Sequence, residues 1–145
     1  MVWRVILLKP TTNNRVTSDF GWRMLSGKVD FHGGVDFGNR EEKGDPILTV
    51  DDGIVRVSTF DKGYGNYIVI EHDNYCSLYA HLSESLVKIG QKVLKYQTIA
   101  EMGSTGHAFG EHLHFEIRNV EYSKFWERYS NNEWIHCVDP LTFIA

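Results

Sequence analysis

Apolar and polar residues along this chain alternate with a period of two far more often than with the 3.6 of a helix, which is the signature of β-strands. β-Branched and aromatic residues gather in short runs at positions 2–8, 35–37, 47–50, 54–60, 67–72, 76–82, 98–101 and 112–118. Clusters of Gly, Asn and Asp separate these runs at roughly the eight-to-twelve-residue spacing of an all-β sandwich or barrel. Only "VEYSKFWERY", positions 120–129, places apolar residues at helical spacing, through Val120, Tyr122, Phe125, Trp126 and Tyr129. The expected fold is all-β, an antiparallel sheet with one short helix near the C-terminal end.

One hairpin can be registered in detail. In "NYIVIEHDNYCSLYAH" Asp73 and Asn74 tolerate positive φ, so a two-residue turn sets His72 opposite Tyr75 and Asn66 opposite His81. His81 then shares a face with Ser77 and Tyr79. Cys76, Leu78 and Ala80 point the other way, into a core, which removes Cys76 as a ligand or nucleophile.

Composition narrows the field. The 145 residues, 42 % of them apolar, are enough for one domain, 1–145, with one core. A net charge of −4 with scattered Lys and Arg argues against nucleic acid or an anionic membrane as partner, leaving a small or peptidic ligand. The two cysteines, Cys76 and Cys137, form neither a disulfide framework nor a CxxC knuckle. The opening "MVWRVILLKP" is too short to span a membrane and lacks a small-residue cleavage site, so no export signal or anchor is expected.

Candidate chemistry lies in the seven histidines. In "GEHLHFEI" residues i and i+2 share a face, so His112 and His114 are neighbours while Leu113 and Phe115 point away. In "FHGGVDFG" Gly33 and Gly34 disfavour a helix between His32 and Asp36, leaving His32 on a loop and Asp36 at a strand start, free to aim at one point. Two imidazoles and a carboxylate are a common catalytic zinc set, with the fourth position left to water. His32, Asp36 and one of the His112/His114 pair supply it. Such a site retains positive charge and lowers the pKa of a bound water to about 7. His81 and the other strand histidine remain unligated, able to carry a proton or donate to an oxyanion. Metal-assisted hydrolysis is the chemistry indicated. No His-Glu-x-x-His helix or Gly-x-Ser-x-Gly elbow is present, and "GSTG", 103–106, lacks the Lys of a P-loop.

The ordered run of "VTSDFGWRM", "HGGVDFG", "GDPILTVDDGIVRVS", "GYGNYIVIEH", "LYAHL", "VKIGQKVLKYQTIAEMGSTG", "GEHLHFEI" and "VDPLTF" resembles the lysostaphin/LytM family of zinc endopeptidases, which cut peptide bonds in bacterial peptidoglycan. The resemblance implies one Zn²⁺ per chain on His32, Asp36 and His114, with His81 and His112 as unligated catalytic histidines; which of these two is the base stays open. It implies a groove floored by the sheet and walled by loops, a peptidoglycan peptide as substrate, a monomer, and action at the cell wall or periplasm. Tyr64, Asn66 and His107 are expected to line the groove, whereas His72, at a strand end before a turn, is expected to be exposed and His136 to lie in packing or at the surface. Specificity is expected in loops 24–30 and 106–110. Without an export signal, the chain resembles phage or prophage lysins delivered by a holin or virion.

Two features depart from that pattern. Tyr96 stands where such proteins usually show Gly, and an extra segment, 119–137, separates "HFEIR" from "VDPLTF". Its Phe125, Trp126, Tyr129 and Trp134 are expected to pack on the barrel rather than to extend a groove wall. Two other functions compete. A non-catalytic relative that activates wall hydrolases would have lost ligands, but all five residues are present. A lipoyl-type carrier is suggested by "VKIGQKVLKYQTIAEMG", which lacks a suitably flanked Lys at a hairpin tip.

Overall fold

The structure, a computed structural model, describes residues 7–12, 15–38, 44–108 and 110–144. Most of the strand expected at 2–8 falls outside the described residues; Leu7 makes an isolated parallel bridge to Ile144. In chain order the strands are β1 (Val16–Ser18), β2 (Gly21–Leu25), β3 (Lys28–His32), β4 (Val35–Gly38), β5 (Pro46–Leu48), β6 (Gly53–Asp61), β7 (Gly65–Glu71), β8 (Cys76–Ser85), β9 (Lys92–Val93), β10 (Thr98–Met102), β11 (His112–Arg118) and β12 (Cys137–Val138). Ten of them form one sheet in the order β1-β4-β11-β8-β7-β6-β9, with β10 joining β8 to β5 and β12 on β11; β2 and β3 form a separate hairpin. Every pairing between these strands is antiparallel, as the alternation predicts.

The central strands are buried on both faces. Leu113, Phe115 and Ile117 of β11 and Tyr79 of β8 enter the main core with Val35, Phe37 and Ile99. Cys76, Leu78 and Ala80 enter a second cluster with Val69 and Phe125. The sequence reading of β8 therefore holds for Cys76, but the opposite face, with Ser77 and Tyr79, is also core.

The β7–β8 hairpin starts in the expected register. His72 donates its N–H to the Tyr75 carbonyl at 2.8 Å and Asn74 takes φ +72° at the turn. Pairing continues through Glu71–Cys76 to Ile68–Tyr79 and then slips, so that Asn66 faces Leu82 instead of His81. His81 occupies the slip with φ +63°. A bulge of this kind re-aims side chains. Leu82 joins Tyr79 in the main core, and His81 emerges toward the side of Ala80, whose cross-strand partner is His114. Regular alternation would have left the imidazole among core residues.

Two further expectations are corrected. The helix expected over 120–129 reduces to one 3₁₀ turn, Tyr122–Lys124. Ten residues are marginal for a helix and aromatics favour it weakly, so packing of Phe125 into the sheet and an Arg128–Trp134 bridge decide the path. His32 is the last residue of β3 rather than a loop residue. Tyr96, which stands where such proteins usually show Gly, takes φ +64°, a conformation that favours glycine, and its hydroxyl accepts the Leu8 N–H at 3.0 Å.

Candidate metal centre

Strands β3, β4 and β11 build the centre. His114 lies directly opposite Asp36 in the β4–β11 ladder, and the Gly33-Gly34 turn returns the chain from His32 into β4. Gly34 is required there: a Cβ would lie 2.9 Å from Glu116 Cγ and 3.0 Å from the Phe115 carbonyl carbon. His32 Nε2, Asp36 Oδ1 and His114 Nδ1 converge, with separations of 3.2 Å (His32–Asp36), 3.0 Å (His114–Asp36) and 3.1 Å (His32–His114). The edge of a tetrahedron with 2.0–2.1 Å zinc–ligand bonds is about 3.3 Å.

The outer hydrogen bonds fix what these atoms present. His32 Nδ1 lies 2.8 Å from the Asp19 carbonyl, which can only accept, so this nitrogen carries the proton and Nε2 keeps its lone pair. His114 Nε2 lies 2.7 Å from Glu116 Oε2, closer than Nδ1 lies to Asp36 Oδ1 at 3.0 Å, so in the neutral ring the proton sits on Nε2 and Nδ1 keeps its lone pair. Two lone pairs and a carboxylate oxygen thus meet at one point, an arrangement that calls for a cation. A proton meets that demand when no metal is present. Burial lowers the His114 pKa, but hydrogen bonds to Asp36 and Glu116 outweigh it and hold it up at about 9. Burial likewise raises the Asp36 pKa, and His114 and His32 outweigh it, holding the carboxyl well below its ordinary value.

His81 and His112 stand beside the centre, their rings 4.7 Å apart. His81 donates Nδ1–H to the Thr105 carbonyl at 2.8 Å and His112 donates Nδ1–H to the Gly110 carbonyl at 3.0 Å, which leaves Nε2 of each as an acceptor. Burial pushes the His81 pKa down to about 4, so its ring is neutral near pH 7. His112 Nε2 is 3.9 Å from Asp36 Oδ1, too far for a hydrogen bond.

These residues line an open groove of about 1150 Å³. His107 lies along it, as do Leu25 from loop 24–30 and Ala108 and Gly110 from loop 106–110. Tyr64 lines it too, but its hydroxyl is turned to Glu116 at 2.8 Å and its ring lies over His114 at 5.9 Å. Asn66, expected to line the groove, is not among the lining residues: its amide donates to the Leu82 and Ser83 carbonyls and pins the β8 bulge. His72, expected to be exposed, is instead buried, because its two ring nitrogens are taken up by the Asp52 carbonyl and the Ser77 hydroxyl, and His136 pairs with Glu127. The extra segment does both things weighed for it. Phe125 packs under the sheet, while Trp126, Arg128 and Trp134 line the groove.

Three residues at the site were not singled out from the sequence. Thr105 carries no signal. Glu116 and Arg118 do: by the period of two they share the face of His112 and His114.

A β-sheet groove thus aims two imidazole nitrogens and a carboxylate at one point, a donor set that fits a metal ion. The chain belongs to peptidase family M23, whose family model matches residues 30–127. It is 38 % identical over 118 residues to the peptidoglycan DD-endopeptidase ShyC of Vibrio cholerae, an alignment covering 79 % of this chain and 27 % of that protein. The chain thus spans about a quarter of the length of the curated relatives it matches. Among solved structures, a zinc-containing peptidase from Vibrio cholerae superposes with a TM-score of 0.67 at 36 % identity, covering 79 % of this chain and 37 % of that one. The catalytic domain of lysostaphin from Staphylococcus simulans superposes with a TM-score of 0.72 at 29 % identity over 89 % of this chain and 90 % of that one. The all-β fold of the lysostaphin/LytM type is therefore established. No helix among the described residues is long and apolar enough to cross a membrane.

Proposed function

We propose that this chain is a zinc endopeptidase that hydrolyses peptide bonds of bacterial peptidoglycan, with His32, Asp36 and His114 holding one Zn²⁺. The observation that carries the reading is the pair of tautomers that backbone and carboxylate partners impose, which leaves His32 Nε2 and His114 Nδ1 bare toward Asp36. Zinc there supplies a Lewis acid for the scissile carbonyl and lowers the pKa of a water molecule. His81 Nε2 is neutral and free to accept a proton, and His112, on the same edge of the groove, is placed to pass one to the leaving amine or to donate to the developing oxyanion. Either histidine can serve as base in this geometry. An activator without catalysis would have no use for two imidazoles held ready beside the ligands, which favours the enzyme.

Purified cell walls are expected to lose turbidity on addition of the protein and to release free amino groups but no reducing sugar. Thorough chelation should abolish the effect and Zn²⁺ restore it. Full activity after chelation, or release of reducing sugar, would reject the reading.

The groove also favours a substrate carrying carboxylates. Lys62 and Arg128 line it without a carboxylate partner among the described residues, and the Arg128 guanidinium is stacked 3.8 Å over the Trp134 ring, which limits the entropy lost when it binds an anion. Arg128→Ala is expected to raise KM for a carboxylate-bearing stem peptide several-fold, about 1 kcal/mol, with kcat little changed. The same peptide with its side-chain carboxyl amidated should show no such rise. Equal effects on both peptides would remove the carboxylate preference.

A further inference from the structure

The face of β11 that carries His112 and His114 continues into Glu116 and Arg118, which are sealed from solvent at 2 % and 0 % exposure. Buried charges of this kind are costly unless fully bonded. Glu116 Oε2 accepts from His114 Nε2 at 2.7 Å and from the Tyr64 hydroxyl at 2.8 Å. Its Oε1 accepts from Arg118 Nε at 3.0 Å and Nη2 at 2.7 Å. Arg118 in turn donates Nη1 to the Phe125 carbonyl at 2.9 Å, and its guanidinium carbon lies 3.9, 4.4 and 5.3 Å from the ring centres of Phe125, Trp134 and Trp126. All three aromatics belong to the segment that separates "HFEIR" from "VDPLTF".

We propose that Glu116 is a positioning residue for the metal centre and that segment 119–137 is its support. The aromatic cage fixes Arg118, Arg118 fixes Glu116, and Glu116 keeps the proton on His114 Nε2 so that Nδ1 faces the cation. The ion pair also brings a negative charge against the imidazole, which raises its basicity as a ligand. The cage accounts for a stretch of sequence that catalysis alone would not require. The inference rests on the zinc reading above, and its test measures binding without turnover.

Metal-stripped protein is titrated with Zn²⁺ against a chromophoric chelator, with folding followed by circular dichroism. Glu116→Gln is expected to weaken zinc binding by about 10- to 100-fold, the usual reach of such outer contacts. Because that change leaves Arg118 buried without a counter-charge and can unfold the chain, the double variant Glu116→Gln/Arg118→Met removes both charges and keeps the volume. It should be folded and show the same loss. Trp134→Ala should weaken zinc a few-fold by loosening Arg118, whereas Val93→Ala, buried at β9 away from the groove, should lose stability but bind zinc as the wild type does. A folded double variant with wild-type zinc affinity overturns the role of Glu116. Wild-type affinity in Trp134→Ala overturns that of the cage. If the wild-type protein itself takes up no zinc, the metal reading falls and this inference with it.

Discussion

Exchange of His81 for Ala is expected to leave zinc content unchanged while lowering kcat by roughly 10²- to 10⁴-fold, whereas His114→Ala removes both metal and activity. The difference follows from position. His114 Nδ1 is one of three proposed ligand atoms within 3.2 Å of one another, and no fourth His, Cys, Asp or Glu joins that cluster among the described residues. The His81 ring centre lies 6.1 Å from that of His114, and its Nδ1 is held by the Thr105 carbonyl. Metal analysis after dialysis and the initial rate of wall clearing, measured on both variants, check the split; equal loss of zinc in the two would reject it. The pH dependence has a definite sign. Burial lowers the His81 pKa to about 4, so the imidazole is neutral above that value and protonated below it. The part of the rate that uses His81 as an acceptor should be constant from pH 8 to pH 5 and fall as pH drops through about 4, not through the ordinary histidine value near 6.5.

The longer strands whose apolar residues face a core were legible, whereas β2 and β3, whose apolar residues face water, and the two- and three-residue strands β1, β9 and β12 were not. β4, β6, β7, β8 and β11 follow the period of two because their alternate positions meet packed neighbours. β2 and β3 escaped notice since Trp22, Met24 and Val29 are 66 %, 68 % and 67 % exposed, and their turn, Ser26-Gly27, is a weaker signal than Asn-Gly. Of the proposed ligands, His32 and Asp36 were read from residue types and His114 from the family resemblance, and the structure brings the three side chains together from three strands that only tertiary pairing joins. His81 needed more than pattern. Its place at the groove depends on a positive φ at a non-glycine residue, a strain that no local rule predicts and that the surrounding bonds to Tyr64 and Thr105 impose. Glu116 and Arg118 could have been read from the alternation, but a charged residue following a histidine pair on a strand looks like solvated surface until the aromatic cover of 119–137 is seen.

Gly106→Ala is expected to lower stability by about 2–4 kcal/mol and kcat by roughly 100-fold while leaving the metal ligands in place. Gly65 and Gly106 take φ +67° and +72° and pack against each other, and this contact closes the loop of 103–107 onto the start of β7. A Cβ on Gly106 would overlap the Gly65 backbone nitrogen and lie 2.6 Å from the Gly65 Cα and 2.8 Å from the Gly63 carbonyl oxygen, all backbone atoms that cannot swing aside. Relief must therefore come from parting the two loops. The residue carried with Gly106 is Thr105, whose carbonyl holds His81 Nδ1–H at 2.8 Å and whose hydroxyl donates to the Leu82 carbonyl and accepts the Asn66 N–H, at 2.6 and 3.0 Å. Displacing it by about 1 Å frees the imidazole to rotate or change tautomer, and a loss of that size is what a misplaced catalytic group costs. Gly90 provides the comparison, with φ +89° and open space around its Cα, remote from the groove. Gly90→Ala should show only the conformational cost of about 1–2 kcal/mol and a wild-type kcat. If thermal melts and rates place the two alanine variants side by side, the glycine pair serves the turn alone, and the hold of Thr105 on His81 must be set by the β8 bulge.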